Sequence, residues 1–355
     1  MERIVLHLDL DYFFAQVEER QRPEIASKPV VVCIYSDVER GRGAVSTANY
    51  IARKFGVHSG IAIFQARRLL AGKNAVFLPA NHELYGRVSL AIAETLLPYA
   101  DAFEQASVDE FYLEISSSYR AAEELAKKIK RELVEKFGLT CSVGVGPNKL
   151  IAKMAASFKK PDGLTVVSPV AVQSFLDPLD VDKIPGIGQK TNQYLQSKNI
   201  RKIAELRMTD RGLLAEELGK NAAGMLFEYA HGIDNSVVAN AEEQKQFSRI
   251  KTLKEPAESL EAVDVEELIA DIVSALEQEN LVCRVIGINI IDSGMRAHTR
   301  SKTLPQPTRD GEVIRKVVIE LLREFFAEAS VPVRRVGVRV ERLESRKGQK
   351  SLGEF

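Results

Sequence analysis

Short apolar runs with the two-residue period of strands alternate along the chain with longer stretches of helical period. The run Ile4-Val5-Leu6-His7-Leu8-Asp9-Leu10-Asp11 predicts a first strand over residues 1–12 that ends in acids. Helical spacing follows over 12–19, and the β-branched run 28–35 predicts a buried strand. A polar loop with Gly41 and Gly43 comes next. Ala44, Val45, Ser46 and Thr47 lead into a predicted helix over 48–55, stopped by Gly56. A short helix opens at Gly60, 76–79 is a short strand, and 82–99 and 118–137 are long amphipathic helices. Between those helices, 105–115 reads as a strand interrupted by Asp109 and Glu110, with Phe111, Leu113 and Ile115 alternating against polar or small partners. Strand neighbours point to opposite faces, so two adjacent acids cannot both enter one core. A strand end or hairpin turn is expected there. Residues 139–146 then predict a strand, 148–158 a helix and 163–167 a further strand.

The resulting order, β…αββαβ, predicts a multidomain α+β fold around a ferredoxin-like sheet, with 13–78 as an insertion. Residues 169–236 change to short helices with glycine turns, and 237–245 read as a linker. Beyond it come a strand over 247–253, a long helix over 259–281, strands over 282–291 and near 299–303, a helix over 311–326 and a strand over 333–340. The polar end, 344–355, is expected to be disordered.

Composition narrows the class. A chain of 355 residues, 45% hydrophobic and 28% charged, is expected to be soluble and to have more than one domain. Its 3 cysteines, Cys33, Cys141 and Cys283, are far apart and lie in apolar stretches, so buried thiols in a cytoplasmic protein are expected. No signal-peptide pattern and no apolar run of membrane-spanning length is present. The net charge of +0 excludes a uniformly basic coat. In the last third, however, 259–281 carries acids and no base, while the strands and their flanks carry Arg249, Lys251, Arg300, Lys302, Arg334, Arg335 and Arg339. One basic sheet face and one acidic helical face are therefore expected, which lets a neutral chain hold nucleic acid.

Asp9, Asp109 and Glu110 at two strand tips offer hard oxygen ligands for Mg²⁺. Taken alone, either acidic pair is more often a solvated strand end. Gly186 and Gly188 before Lys190, and a weaker copy at Gly219 and Lys220, predict turns between helices whose backbone N–H groups hold phosphate. Tyr50 and Arg53 lie one turn apart, Thr47 precedes them, and Lys160 follows a later helix; convergence of these four would suit a triphosphate. Surface charge explains them equally well at this point.

The motifs Asp9-Leu10-Asp11-Tyr12-Phe13-Phe14, Ala48-Asn49-Tyr50-Ile51-Ala52-Arg53, Ser107-Val108-Asp109-Glu110 and Lys160-Pro161-Asp162-Gly163 occur in the order and spacing of the Y-family lesion-bypass DNA polymerases. The chain resembles the DinB branch, archaeal members above all, over almost its whole length. The resemblance implies a right-hand polymerase. Its palm would be 1–12 and 79–168, its small fingers 13–78, and its helical thumb, with helix-hairpin-helix turns, 169–236. An α/β little finger, 246–342, would follow the linker, and 343–355 would be a flexible tail. It implies metal ligation by Asp9, Asp109, Glu110 and the Leu10 backbone carbonyl, with two Mg²⁺ ions. Phe14 would be the steric gate against a 2′-hydroxyl. Thr47, Tyr50, Arg53 and Lys160 would bind triphosphate, and Gly43 and Ala44 would roof the nascent base pair.

Gln349, Leu352 and Phe355 resemble a peptide that binds a sliding clamp, without the usual second aromatic. The expected activity is template-directed, low-fidelity primer extension without proofreading, by a monomer acting on primed DNA and deoxynucleoside triphosphates. A nucleotidyl cyclase on the same sheet and a catalytically silent DNA-binding protein are the alternatives.

Overall fold

Strand β1 (Glu2–Leu10) is the centre of a five-stranded sheet, ordered β5 (Ala102–Gln105), β6 (Glu110–Ser117), β1, β7 (Cys141–Gly146), β8 (Leu164–Val166). Its alternation sorts its side chains by face. Ile4, Leu6 and Leu8 enter the core formed with α1 (Phe13–Gln21), α4 (His82–Leu96) and α5 (Tyr119–Phe137). The opposite face carries Val5, His7 and Asp9, and there Val5 packs with Tyr112 and with Ala152 of α6 (Lys149–Phe158). In α5, Ala122, Ala126, Ile129 and Leu133 recur at helical spacing and are buried, with Ser118 capping the start. Strand β7 is buried along its length. A Cβ on its Gly144 would stand 2.0 Å from the Ala152 carbonyl oxygen, so the missing side chain is what lets α6 lie directly on β7.

The computed structural model describes residues 2–37, 41–239, 245–329 and 331–345. They form two units, Met1–Tyr35 with Arg42–Ala241, and Ser36–Gly41 with Glu242–Phe355. In the first unit a smaller sheet, β3 (Arg42–Ala48), β2 (Val30–Asp37) and β4 (Val76–Pro79), packs with the short helices α2 (Tyr50–Arg53) and α3 (Ile63–Leu69). Here the sequence expectation needs correction: Gly43 stands in a strand, not a loop, that strand runs on through Ala48, and the helix expected over 48–55 is confined to α2. The buried Asn49 decides this. Its Oδ1 accepts from the backbone N–H of Val30 and Ala52, which ends the strand and starts the helix at one residue.

The helices α7 (Val172–Leu176), α8 (Gln189–Ser197), α9 (Ile203–Arg207), α10 (Arg211–Leu218) and α11 (Lys220–Ala230) share a core with Leu150, Ile151, Met154 and Ala155 of α6. The segment expected to begin a linker at 237 is still fastened to this unit. Val238 is buried with Val5 and Tyr112, and the Ala239 N–H donates to Glu104. Residues 240–244 lie outside the described residues.

The second unit has a four-stranded antiparallel sheet, β11 (Ala297–Thr308), β10 (Leu281–Asp292), β12 (Val333–Ser345), β9 (Gln246–Ala257), covered on one face by α12 (Glu266–Gln278) and α13 (Gly311–Glu328). Three expectations fail here. The helix over 259–281 shrinks to α12, because buried Val263 is extended chain and Asp264 accepts from the Glu266 N–H at the helix start. Residues 344 and 345 are strand, paired with Val282 and Leu281, not tail. The division into a basic sheet face and an acidic helix face is not observed. Arg249 and Lys251 pair with Val338 and Val336, and Arg300 and Lys302 with Ile288 and Ile286, so all four point to the helix side with those core residues. There Arg300 meets Glu328 and Lys302 meets Glu320 of α13, and Lys251 approaches Asp264. Arg335 and Arg339 lie on the open face.

The three cysteines are free and buried, as expected. Among the described residues no helix is long and apolar enough to cross a membrane.

Candidate active site

Two strand tips build the site. Asp9 on β1 stands directly opposite Glu110 on β6, so their side chains share a face, the one that α6 covers. Asp109 precedes β6 in the turn from β5, as its break in the apolar alternation predicts. The Ser107 hydroxyl donates to Asp109 Oδ1 at 2.6 Å and accepts from the Glu110 N–H, fixing the turn. A backbone bond from Leu10 N–H to the Asp109 carbonyl, 2.9 Å, ties that turn to the end of β1.

Two lysines meet these acids. Lys160 Nζ lies 2.5 Å from Asp9 Oδ2, and Lys153 Nζ lies 2.6 and 2.5 Å from the two Glu110 oxygens. Burial pushes the Asp9 carboxyl up to about 6; Lys160 opposes that rise, and the Glu110 and Asp109 charges add to it. Glu110 is held down at about 2 by the adjacent His7 ring and by Lys153. His7 Nε2 is 3.9 Å from Glu110, beyond hydrogen-bond length, so Lys153 supplies the direct bond. Burial lowers the His7 pKa, and the neighbouring Glu110 charge opposes that.

The donor set is carboxylate and carbonyl oxygen, and two ammonium groups already rest on it. Both facts fit a hard divalent cation. Among the described residues no three ligating side chains are closed around one point; the acids are arranged about the lysines instead.

The residues expected around the substrate fall in three places. Phe14 stacks on Tyr85, with ring centroids 4.1 Å apart, and Tyr85 donates to Glu18. Tyr50 meets Tyr12 edge-on, and the Arg53 guanidinium lies 4.8 Å from the Tyr50 ring centre. Arg53 also donates to the Ala48 carbonyl. Burial first, then the charges of Asp11 and Asp9, raise the Tyr50 pKa, while Arg53 opposes the rise. Thr47 is half-buried on β3. A Cβ on Gly43 would be 2.2 Å from the Ile34 carbonyl oxygen, so its size is set by packing within its own sheet; Ala44 bridges to Ala62.

Farther off, Gly186 and Gly219 both have positive φ, and Gly188 and Gly219 start α8 and α11, just ahead of exposed Lys190 and Lys220. Arg334 is exposed and reaches Met295. Gln349, Leu352 and Phe355 lie outside the described residues.

Sequence reasoning missed Lys153, Asn49 and Asp11. Lys149 and Lys153 are the only charged residues in α6, one turn apart, and they reach Glu104 and Glu110; that spacing was the available signal. Asn49 also donates to Glu19 and to the Lys28 carbonyl, so one side chain positions the helix bearing Tyr50 and Arg53.

Residues 8–157 match the impB/mucB/samB family, residues 244–353 the C-terminal domain of that family, and residues 182–234 the DNA polymerase-iota thumb domain. The chain is 43% identical to DNA polymerase IV 1 of Methanosarcina mazei, covering 100% of both proteins. It is 38% identical to DNA polymerase IV of Nitrosopumilus maritimus, covering 99% of each. Among solved structures, the Y-family DNA polymerase chimera Dbh-Dpo4(243-245)-Dbh aligns at TM-score 0.88 and 35% identity, over 96% of this chain and 99% of that one. An insertion ternary complex of Dbh DNA polymerase aligns at TM-score 0.70 and 34% identity, over 95% and 98%.

Proposed function

The chain belongs to the impB/mucB/samB family and, within it, to the DinB-type Y-family DNA polymerases, and from that premise we propose how its residues carry out translesion DNA synthesis. It is a DNA-directed DNA polymerase that depends on divalent metal and acts on primed DNA and deoxynucleoside triphosphates. The observation that carries the mechanism is the register that sets Asp9 opposite Glu110, with the Asp109 turn tied to β1.

Asp9, Asp109, Glu110 and the Leu10 carbonyl would hold two Mg²⁺ ions, which when bound would make the primer 3′-hydroxyl more acidic and stabilise charge on the departing pyrophosphate. Asp109 would serve as a ligand to both, and Glu110 would be the acid nearer the primer hydroxyl. Lys160, with Tyr50, Arg53 and Thr47, binds the triphosphate. Phe14, backed by Tyr85, lies under the sugar and excludes a 2′-hydroxyl. Ala44, with Gly43, faces the nascent pair. The glycine turns at Gly186, Gly188 and Gly219, with Lys190 and Lys220, grip the DNA backbone. Arg334, Arg335 and Arg339 add contacts from the second unit, and Gln349, Leu352 and Phe355 form a clamp-binding tail on a monomer.

A cyclase would not need the thumb or the second unit, and a silent DNA-binding protein would not need paired acids under two lysines. Primer extension by the Asp109→Ala variant tests the mechanism: extension should vanish while the variant still binds primed template. Retained extension would sink the site.

A further inference from the structure

Asp11 belongs to the same acidic strand end as Asp9, yet it is fully buried, and hydroxyls and a main-chain amide meet its carboxylate. Three donors converge on its carboxylate. Ser142 Oγ donates to Oδ1 at 2.8 Å, Thr140 Oγ1 donates to Oδ2 at 3.0 Å, and the Asp162 backbone N–H donates to Oδ2 at 2.9 Å. The third donor belongs to the loop that carries Lys160. The geometry therefore repeats along two segments. Asp9 meets the Lys160 ammonium and, two residues on, Asp11 meets the Asp162 amide. The loop is fixed from its other side by Lys130, which donates to Asp162 Oδ1 at 2.6 Å and to the Gly163 carbonyl at 3.2 Å. Ser142 completes the clamp by accepting from the Gly163 N–H at 3.3 Å.

We propose that Asp11 is a positioning residue for nucleotide binding: it pins the 160–163 loop to the end of β1, so that Lys160 is held within reach of the triphosphate while it also neutralises Asp9. A buried carboxylate persists only when its oxygens are hydrogen-bonded, and a main-chain amide is a donor that every residue but proline supplies. Asp11 touches neither metal nor nucleotide in this scheme; it acts through Lys160. The inference rests on the reading of Lys160 as a triphosphate ligand.

The test is equilibrium binding of a complementary deoxynucleoside triphosphate to the full chain on a dideoxy-terminated primer–template with Mg²⁺, so that no turnover occurs. Asp11→Ala should weaken nucleotide about tenfold, the scale on which small misplacements act. Asp11→Asn keeps an acceptor for the Asp162 amide and should restore most of that loss. In a Lys160→Ala background, Asp11→Ala should add under about twofold, because residues acting through one another are non-additive. Additive losses, or no loss in Asp11→Ala, would overturn the inference. If Lys160→Ala itself leaves nucleotide affinity unchanged, the triphosphate reading falls instead, and the two failures are distinct. Should Asp11→Ala not fold, Ser142→Ala combined with Asp11→Asn provides the weakened anchor, and the same cycle with Lys160→Ala decides.

Discussion

At the end of β1, Lys160 and Lys153 approach Asp9 and Glu110 to 2.5 Å; at the edge of the second sheet, Arg300 and Lys302 approach Glu328 and Glu320 to 2.5 and 2.7 Å. The distances are alike and the surroundings are not. The Asp9 side chain is 12% exposed and that of Glu328 is 65% exposed. In the first place low dielectric makes each charge depend on its partner, and a cation or phosphate that arrives finds groups already organised for it. In the second, water screens both partners and the pair contributes little. An ion pair is thus informative about function in proportion to its burial.

Six substitutions, in four tests, probe this contrast, from the largest expected effect to the smallest. Asp109→Ala should lower single-turnover extension by at least about 10³-fold, with duplex affinity changed less than twofold, as loss of a metal ligand implies. A modest rate loss would make the buried cluster no more functional than the exposed one. Phe14→Ala should reduce discrimination against ribonucleotides by about 10²-fold, measured as the ratio of kcat/KM for the two sugars, within the range a shape-selective pocket achieves. Arg335→Ala and Arg339→Ala, on the open face, should each weaken primed DNA several-fold and lower the slope of log affinity against log salt by about 1, the mark of one lost phosphate contact. Arg300→Ala or Lys302→Ala should change affinity by less than about twofold, since each lies on the helix side and opposes a glutamate of α13, whereas the Arg339 pair with Glu341 lies on the open face. If the last two matched the open-face arginines, the helix-side pairs would have to open on DNA, and the comparison would fail there.

Much of this site is written in the chain. The acids at 109 and 110 break a strand alternation, and such a break forces a turn. Local pattern could not say that Asp9 would lie in register with Glu110, a hundred residues away, because register belongs to the assembled sheet. Asp11 was hidden for a different reason: next to Asp9 it reads as one more acid, and only its three donors separate an anchor from a ligand. In the second unit the error was one of parity. Arg249 and Lys251 fall on the same alternate positions as Phe247 and Leu253, which pack on the core, whereas Arg335 and Arg339 alternate with Val336, Val338 and Val340. Counting bases by element lost what counting them by face would have kept. The helix expected over 48–55 starts only at Tyr50 because a single buried amide, Asn49, ends the strand and caps the helix there.

Mechanically, α6 is a shared bearing. One side lies against β7 with no side chain between, where Gly144 stands. Its Leu150, Ile151, Met154 and Ala155 belong to the core of helices α7 to α11, and its first turn is bolted to them by Asn148 to the Gly232 carbonyl and by Asp234 to the Leu150 N–H. Lys149 and Lys153 project from the same rod to Glu104 and Glu110. A load on the glycine-turn helices is therefore borne by the rod that holds the lysine on Glu110, and the turns and the acids at the strand tips are joined through one stiff member.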